Sequence, residues 1–260
     1  MKIDVSDISA MPSNATSSKG NQSKWHIDDY YLKKDTNGYE GLAEVLSGRI
    51  LEKSNADAYV IYDFAQIIIM GESYTGCVSK EMKNAGEVLV PLERLVRLER
   101  NINLTRKIRK FDTPMERIKY TVDILDEIGV EDAGRRLTQI MEIDAVTLNQ
   151  DRHTNNIAIM QKENRLFFSP IYDNGDAFFS DLVYFPEKFT TEELLKRVTA
   201  KPFSGSFEKQ KLAAQELYGE QLEIYFSMDD LIEFCHDASK YYPEKYIERI
   251  KNIARMQLDI

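Results

Sequence analysis

The sequence predicts an α+β fold of two lobes, a small β-rich lobe over residues 1–82 and a mainly helical lobe over residues 83–260. Three observations lead there. Short runs rich in aromatic and β-branched residues, punctuated by turn residues, fill the first part of the chain. From Pro91 onward the apolar residues recur at spacings of three and four. Within that helical part lies one strand pair with polar residues at both of its outer ends. A chain of 260 residues is long enough to form two lobes around a cleft.

Residues 1–24 open with a short apolar–polar alternation and continue into a hydroxyl-rich stretch, Ser13 to Lys24, with one glycine, Gly20. By composition this is a disordered tail. It also suits a phosphate-covering loop, whose small residues let backbone N–H groups approach an anion. Trp25-His26-Ile27 and Tyr30-Tyr31-Leu32-Lys33 read as a hairpin around Asp28-Asp29. Gly38 to Lys53 is helical, with Leu42, Leu46 and Ile50 as its apolar stripe and Glu40 and Glu44 on one face. A strand lysine followed by a helix carrying an inward glutamate is how kinases fix the lysine that holds ATP phosphates. Ala58 to Phe64, Gln66 to Met70 and Gly76 to Ser79 read as strands. Gly86 to Val90 is an alternative last strand of this small sheet.

In the second part, Leu92, Leu95, Val96 and Leu98 mark a helix. Thr113-Pro114-Met115-Glu116 is a capping box with proline at the first helical position, and its helix ends near Gly129. Glu131 to Val146 continues as a helix with Leu137, Ile140, Met141 and Ala145 inward. Asn156 to Met160 and Leu166 to Pro170 form the strand pair. Helix starts follow at Thr190 and Ser227, and Pro243 to Met256 is an amphipathic last helix.

Composition narrows the function. Net charge is −9 and the pI is about 5.1. That argues against direct nucleic-acid binding, which needs clustered positive charge. The run Arg106, Lys107, Arg109 and Lys110 reads as a solvated surface. Cys77, Cys235 and the three histidines have no zinc or disulfide spacing, which fits a reducing cytoplasm. The most apolar stretch, Ala58 to Met70, is too short to span a bilayer, and the N-terminus lacks the apolar segment of a signal peptide.

The residues that carry chemistry are Asp151, Asn156 five positions on, and Asp173 just beyond the strand pair. An Asp in the first place orients or deprotonates an acceptor hydroxyl. An Asn and a second Asp hold Mg2+ against ATP phosphates. Magnesium takes hard oxygen ligands and needs few from protein. Antiparallel pairing brings the two outer ends of the hairpin, and so Asn156 and Asp173, side by side.

These segments together resemble the HipA-like kinases, in particular their short single-chain branch. The resemblance rests on Lys24-Trp25, Tyr31-Leu32-Lys33-Lys34-Asp35, Gly38-Tyr39-Glu40-Gly41-Leu42-Ala43-Glu44, Gly76-Cys77-Val78-Ser79, Leu148 to Asn156, and Tyr172-Asp173-Asn174-Gly175, with Lys201-Pro202-Phe203-Ser204 as a weaker match. It implies a protein-kinase-like fold and a serine/threonine protein kinase using ATP and Mg2+. Asp151 would be catalytic, and Asn156 and Asp173 would be metal ligands. Lys33 would hold the phosphates and Glu44, or less readily Glu40, would pair with it. The loop Ser17 to Ser23, with Ser18 and Gly20, would cover the phosphates, and Ser17, Ser18 and Ser23 would be candidates for autophosphorylation. The backbones of Lys80 and Met82 would meet adenine. Implied partners are an unidentified protein substrate and an antitoxin or other regulatory protein, in a bacterial cytoplasm, with secretion as an effector left open. A nucleotide-binding pseudokinase module and a small-molecule or lipid kinase are the alternatives.

Overall fold

The structure is a computed structural model that describes residues 1–11 and 22–260. In chain order its first elements are β1 (Lys2–Asp4), β2 (Lys24–Ile27), β3 (Tyr30–Lys34), α1 (Glu40–Glu52), β4 (Tyr62–Ile69) and β5 (Glu72–Lys80). The five strands form one sheet in the order β1-β4-β5-β3-β2, antiparallel except for the parallel pair β1–β4. The register sets Lys33 opposite Cys77, and Cys77 opposite Phe64. With side chains alternating along a strand, these three share one face. The other face gathers Trp25, Leu32, Ala65, Ile67 and Val78 into a small apolar cluster with Val5.

Helix α1 packs across β4 and β5. Its sequence shows one stripe, yet Leu42, Ala43, Glu44, Val45, Leu46, Ser47, Ile50 and Leu51 are all buried. It lies between the sheet and the helical part, so both its faces are covered. The approach is close because Gly41 meets Gly76 backbone to backbone. A Cβ on Gly41 would stand 2.6 Å from the Gly76 carbonyl carbon and 2.7 Å from the Tyr242 hydroxyl.

The chain continues through β6 (Val88–Pro91), α2 (Leu92–Arg100), α3 (Leu104–Ile108), α4 (Pro114–Ile128), β7 (Val130–Glu131) and α5 (Ala133–Thr147). Then come β8 (Ala158–Lys162), β9 (Arg165–Phe168), α6 (Thr191–Leu195), α7 (Phe207–Tyr218), α8 (Met228–Ala238) and α9 (Glu244–Leu258). A second sheet runs β6-β8-β9-β7. Thr113 caps α4 in a full capping box, Pro114 opens it and Gly129, at φ 92°, ends it.

Several element readings are corrected. Ala58 to Met70 contains one strand, β4 (Tyr62–Ile69), not two, and residues 58–61 instead meet the segment before Asp173: Val60 donates to Ile171 O and Ile171 to Ala58 O, both at 2.9 Å. Gly86 to Val90 does not extend the first sheet; Val88–Pro91 pairs with β8 in the second. Glu131 lies in β7, paired with Phe167, so α5 starts later than its apolar spacing suggests. The first residues are not all tail, since β1 lies along β4. Among the described residues no helix is long and apolar enough to cross a membrane.

Candidate active site

Between the first sheet and the helical part lies a cleft of about 690 Å3, lined by Lys33, Lys80, Met82, Asp151, Asn156 and Asp173 among others. Ser18 and Gly20, expected over the phosphates, lie outside the described residues, as does Ser17. Ser23 is described, and its carbonyl accepts from Lys34 N at 3.0 Å.

Lys33 reaches the cleft on the α1 face of β3. Its ammonium donates to Glu44 Oε1 and, at 2.7 Å, to Asp173 Oδ1. The Tyr62 hydroxyl stands 3.5 Å away. Burial would push this lysine's pKa down; Asp173 and Glu44 more than reverse that and hold it well above its ordinary value. Asp173 shows the counterpart: burial pushes it up, while Lys24, Lys33 and Arg152 pull it far below the usual carboxylate range. Glu40 is committed elsewhere. Its carboxylate accepts the amides of Thr36, Asn37 and Gly38 ahead of α1, which leaves Glu44 as the lysine's partner.

Asp173 sits in the left-handed region, at φ 59°. That conformation costs an L residue on the order of 1 kcal/mol and is met most often at Asn, Asp and Gly. It is held from three sides. Asp173 N donates to the Tyr62 hydroxyl at 3.4 Å, Asn174 N donates to Glu44 Oε2 at 2.8 Å, and Asn174 Oδ1 accepts from Arg152.

The Asp151 turn closes on itself. His153 N donates to Asp151 O and Asn156 N to His153 O, each at 2.8 Å. The Asn156 amide nitrogen donates to Asp151 O at 2.8 Å and to Asp151 Oδ2 at 3.3 Å. A carbonyl oxygen cannot face another carbonyl oxygen, so this bond fixes the amide's orientation and leaves its oxygen as the outward acceptor. Burial lowers the pKa of neighbouring His153, which favours the neutral ring.

Arg152 joins the two halves of the site, a role its sequence position does not disclose. Fully buried, it takes Asp144 through Nε at 3.0 Å, and through Nη1 it donates to Asn156 O at 3.1 Å and Tyr172 O at 2.7 Å. The segment bearing Asn156 is thereby tied to the one bearing Asp173. Two lysines from the resembling segments, to which the sequence assigned no role, also stand beside the site. Lys24, opposite Lys33 in the β2–β3 register, stands 3.9 Å from Asp173. Lys201 donates to Asp151 Oδ1 at 3.1 Å.

Strand β5 ends at Lys80, next to the cleft. Glu81 N donates to Asp29 O at 2.7 Å, on the β3 side. Lys80 and Met82 flank Glu81 in the chain. Both residues line the cleft.

Magnesium fits the donor set. Asn156 and Asp173 both line the cleft and offer hard oxygens, and among the described residues no group of three His, Cys, Asp or Glu side chains forms a cage for an ion. Mg2+ suits such a place because it keeps water and takes phosphate oxygens alongside one or two protein ligands.

No family model and no curated protein matches the sequence. Solved structures do match the fold. The Helicobacter pylori proinflammatory kinase CtkA superposes with a TM-score of 0.62 at 14% identity, covering 99% of this chain and 94% of that one. HipA of the Shewanella oneidensis MR-1 toxin–antitoxin system, solved with HipB and operator DNA, gives 0.50 at 11% identity; 95% of this chain spans 64% of that one. The fold is HipA-like and kinase-related.

Proposed function

We propose that the chain is an ATP- and Mg2+-dependent phosphotransferase of the HipA-like type, acting on a serine or threonine hydroxyl of a protein. The observation that carries this reading is the convergence of Lys33, Asp151, Asn156 and Asp173 on one cleft, with Lys33 locked by Glu44.

Lys33 binds the phosphates of ATP, and Glu44 keeps its ammonium aimed into the cleft. The Lys80 carbonyl and Met82 amide meet the adenine edge. Asn156 Oδ1 and the Asp173 carboxylate hold Mg2+, which when bound neutralises charge on the phosphate oxygens. Asp151 orients the acceptor hydroxyl and receives its proton as the oxygen attacks the γ-phosphorus. The chain's contribution is positioning and charge, the two terms that dominate phosphoryl transfer. The Ser-rich stretch with Ser18 and Gly20, outside the described residues, is proposed as the phosphate cover and as the place of autophosphorylation, on the resemblance of the sequence alone. A protein regulator of the antitoxin kind belongs to the same reading, since HipA was solved with HipB.

The test is to incubate the purified protein with labelled ATP and Mg2+ and to map phosphorylated residues by mass spectrometry. Label on Ser17, Ser18 or Ser23, absent in Asp151→Ala, is the expected result. A Mg2+-dependent nucleotide thermal shift with no transfer would instead mark a binding module.

A further inference from the structure

The segment between α6 and α7 brings one side chain against Asp151, a residue that lines the cleft. Lys201 Nζ lies 3.1 Å from Asp151 Oδ1. Its place is built. Ala200 and Phe203 on either side are buried, and Ala200 N donates to Gly205 O at 3.1 Å. Arg117 donates to Phe203 O at 2.8 Å, and Phe203 N donates to the buried Gln210 side chain at 3.2 Å. The lysine's own side chain keeps 41% of its surface exposed. A half-exposed lysine–carboxylate pair adds little to stability, so fold stability does not account for the pairing of Lys201 with Asp151.

Two other lysines of the site, Lys33 and Lys24, are placed differently. Both face Asp173, at 2.7 and 3.9 Å. Lys201 faces Asp151, on the acceptor side. Resting on the phosphotransfer reading above, we infer that Lys201 is a catalytic cation that hydrogen-bonds the phosphoryl group in transit between ATP and the acceptor. A hydroxyl held by Asp151 puts the attacked phosphorus one bond beyond the hydroxyl oxygen. An ammonium already touching that carboxylate then lies within hydrogen-bond reach of the phosphoryl oxygens. In the step, the bond from the acceptor oxygen to the γ-phosphorus forms as the bond to the β–γ bridging oxygen breaks. The electron pair leaves with ADP and the hydroxyl proton goes to Asp151. Lys201 keeps its protons and stabilises charge on the oxygens of the loose transition state.

The test uses Lys201→Met and Lys201→Arg in the full chain. It reads kcat, KM for ATP, ADP affinity, affinity for ADP with aluminium fluoride and Mg2+, and thermal midpoint. Lys201→Met is expected to lower kcat by roughly 100-fold and to weaken the aluminium fluoride complex at least about tenfold, the scale of a lost transition-state donor. ADP affinity and thermal midpoint stay at the wild-type values, and Lys201→Arg recovers part of the rate. A Lys201→Met protein with wild-type kcat and wild-type aluminium fluoride affinity overturns the inference alone. Parallel loss of ADP binding and thermal midpoint in both variants overturns it too, in favour of a structural lysine. A wild-type protein that transfers no phosphate overturns the phosphotransfer reading, and the role of Lys201 with it.

Discussion

Glu44 and Asn174, far apart in sequence, are joined by a hydrogen bond of 2.8 Å from the Asn174 amide to Glu44 Oε2, while Oε1 of the same carboxylate takes Lys33. One buried side chain thus aligns the strand lysine, helix α1 and the turn that bears Asp173. Breaking a buried ion pair by removing one partner costs about 3–5 kcal/mol. Glu44→Gln keeps an acceptor for Asn174 but leaves Lys33 with Asp173 as its one carboxylate. The variant is expected to show a clearly lower urea midpoint and weaker ATP binding; a wild-type midpoint would contradict the arrangement.

Arg152 and Asp144 form the second buried pair, at 3.0 Å with both side chains almost fully enclosed. Arg152→Met strands the Asp144 carboxylate and releases the carbonyls of Asn156 and Tyr172. A loss of about 3–5 kcal/mol is expected from urea unfolding. Adding Asp144→Leu removes the stranded charge, so the double variant should recover part of that stability but not the activity, because the tie between the two carbonyls stays broken. A double variant no more stable than the single one would count against this reading of the pair.

Asp35 gives a pH dependence with a definite sign. Burial first, then Glu40, push its carboxyl up to about 7, against the pull of the Gly41 amide and the Thr75 and Tyr242 hydroxyls. In the unfolded chain the group ionises near the usual ~3.9. Between these values the folded protein holds the extra proton. This group's contribution is therefore fully present below about pH 4 and declines as pH rises to about 7, by roughly 1.4 kcal/mol per pH unit at most. Asp35→Asn removes the slope, so the variant's advantage in urea midpoint should grow between pH 4.5 and 7.5. Parallel profiles for the two proteins would show that Asp35 does not titrate in that range.

Gly41→Ala tests the close approach of α1 to β5. On a free helix alanine is favoured over glycine by about 1 kcal/mol. Here the new Cβ would meet the Gly76 backbone at 2.6 Å, and backbone does not yield as a side-chain tip does. Overpacking of this kind costs about 1–3 kcal/mol. The expected outcome is net destabilisation in a thermal melt, with reduced ATP affinity as α1 and Glu44 shift. A stabilised variant would mean that the helix can move away freely.

What was legible in the sequence is what local geometry determines. Asp151, Asn156 and Asp173 share a tight turn and a short hairpin, so their spacing alone brings them near one another. Lys33 and Glu44 follow from strand-then-helix order. Glu40 and Glu44 could not be ranked by periodicity, because both lie on one helix face; the amides of residues 36–38 decide it by occupying Glu40. Arg152 was visible as a residue of the motif, but its partner Asp144 lies a helix end away and its carbonyl targets in two other segments. Lys201 depends on the path of the chain between α6 and α7, which no periodicity encodes. The three residues of β1 gain strand character from β4 and carry little signal of their own.

The most direct test of the account is the Mg2+-dependent rate of ATP turnover with a protein acceptor, compared between wild type and Asp173→Asn. Substituting one oxygen of a metal-holding carboxylate by an amide removes the charge while nearly preserving shape. Saturable Mg2+-dependent turnover is expected of the wild type, with a loss on the order of 100-fold or more in the variant, the scale of an electrostatic transition-state contribution. Equal turnover by the two proteins at every Mg2+ concentration would contradict it.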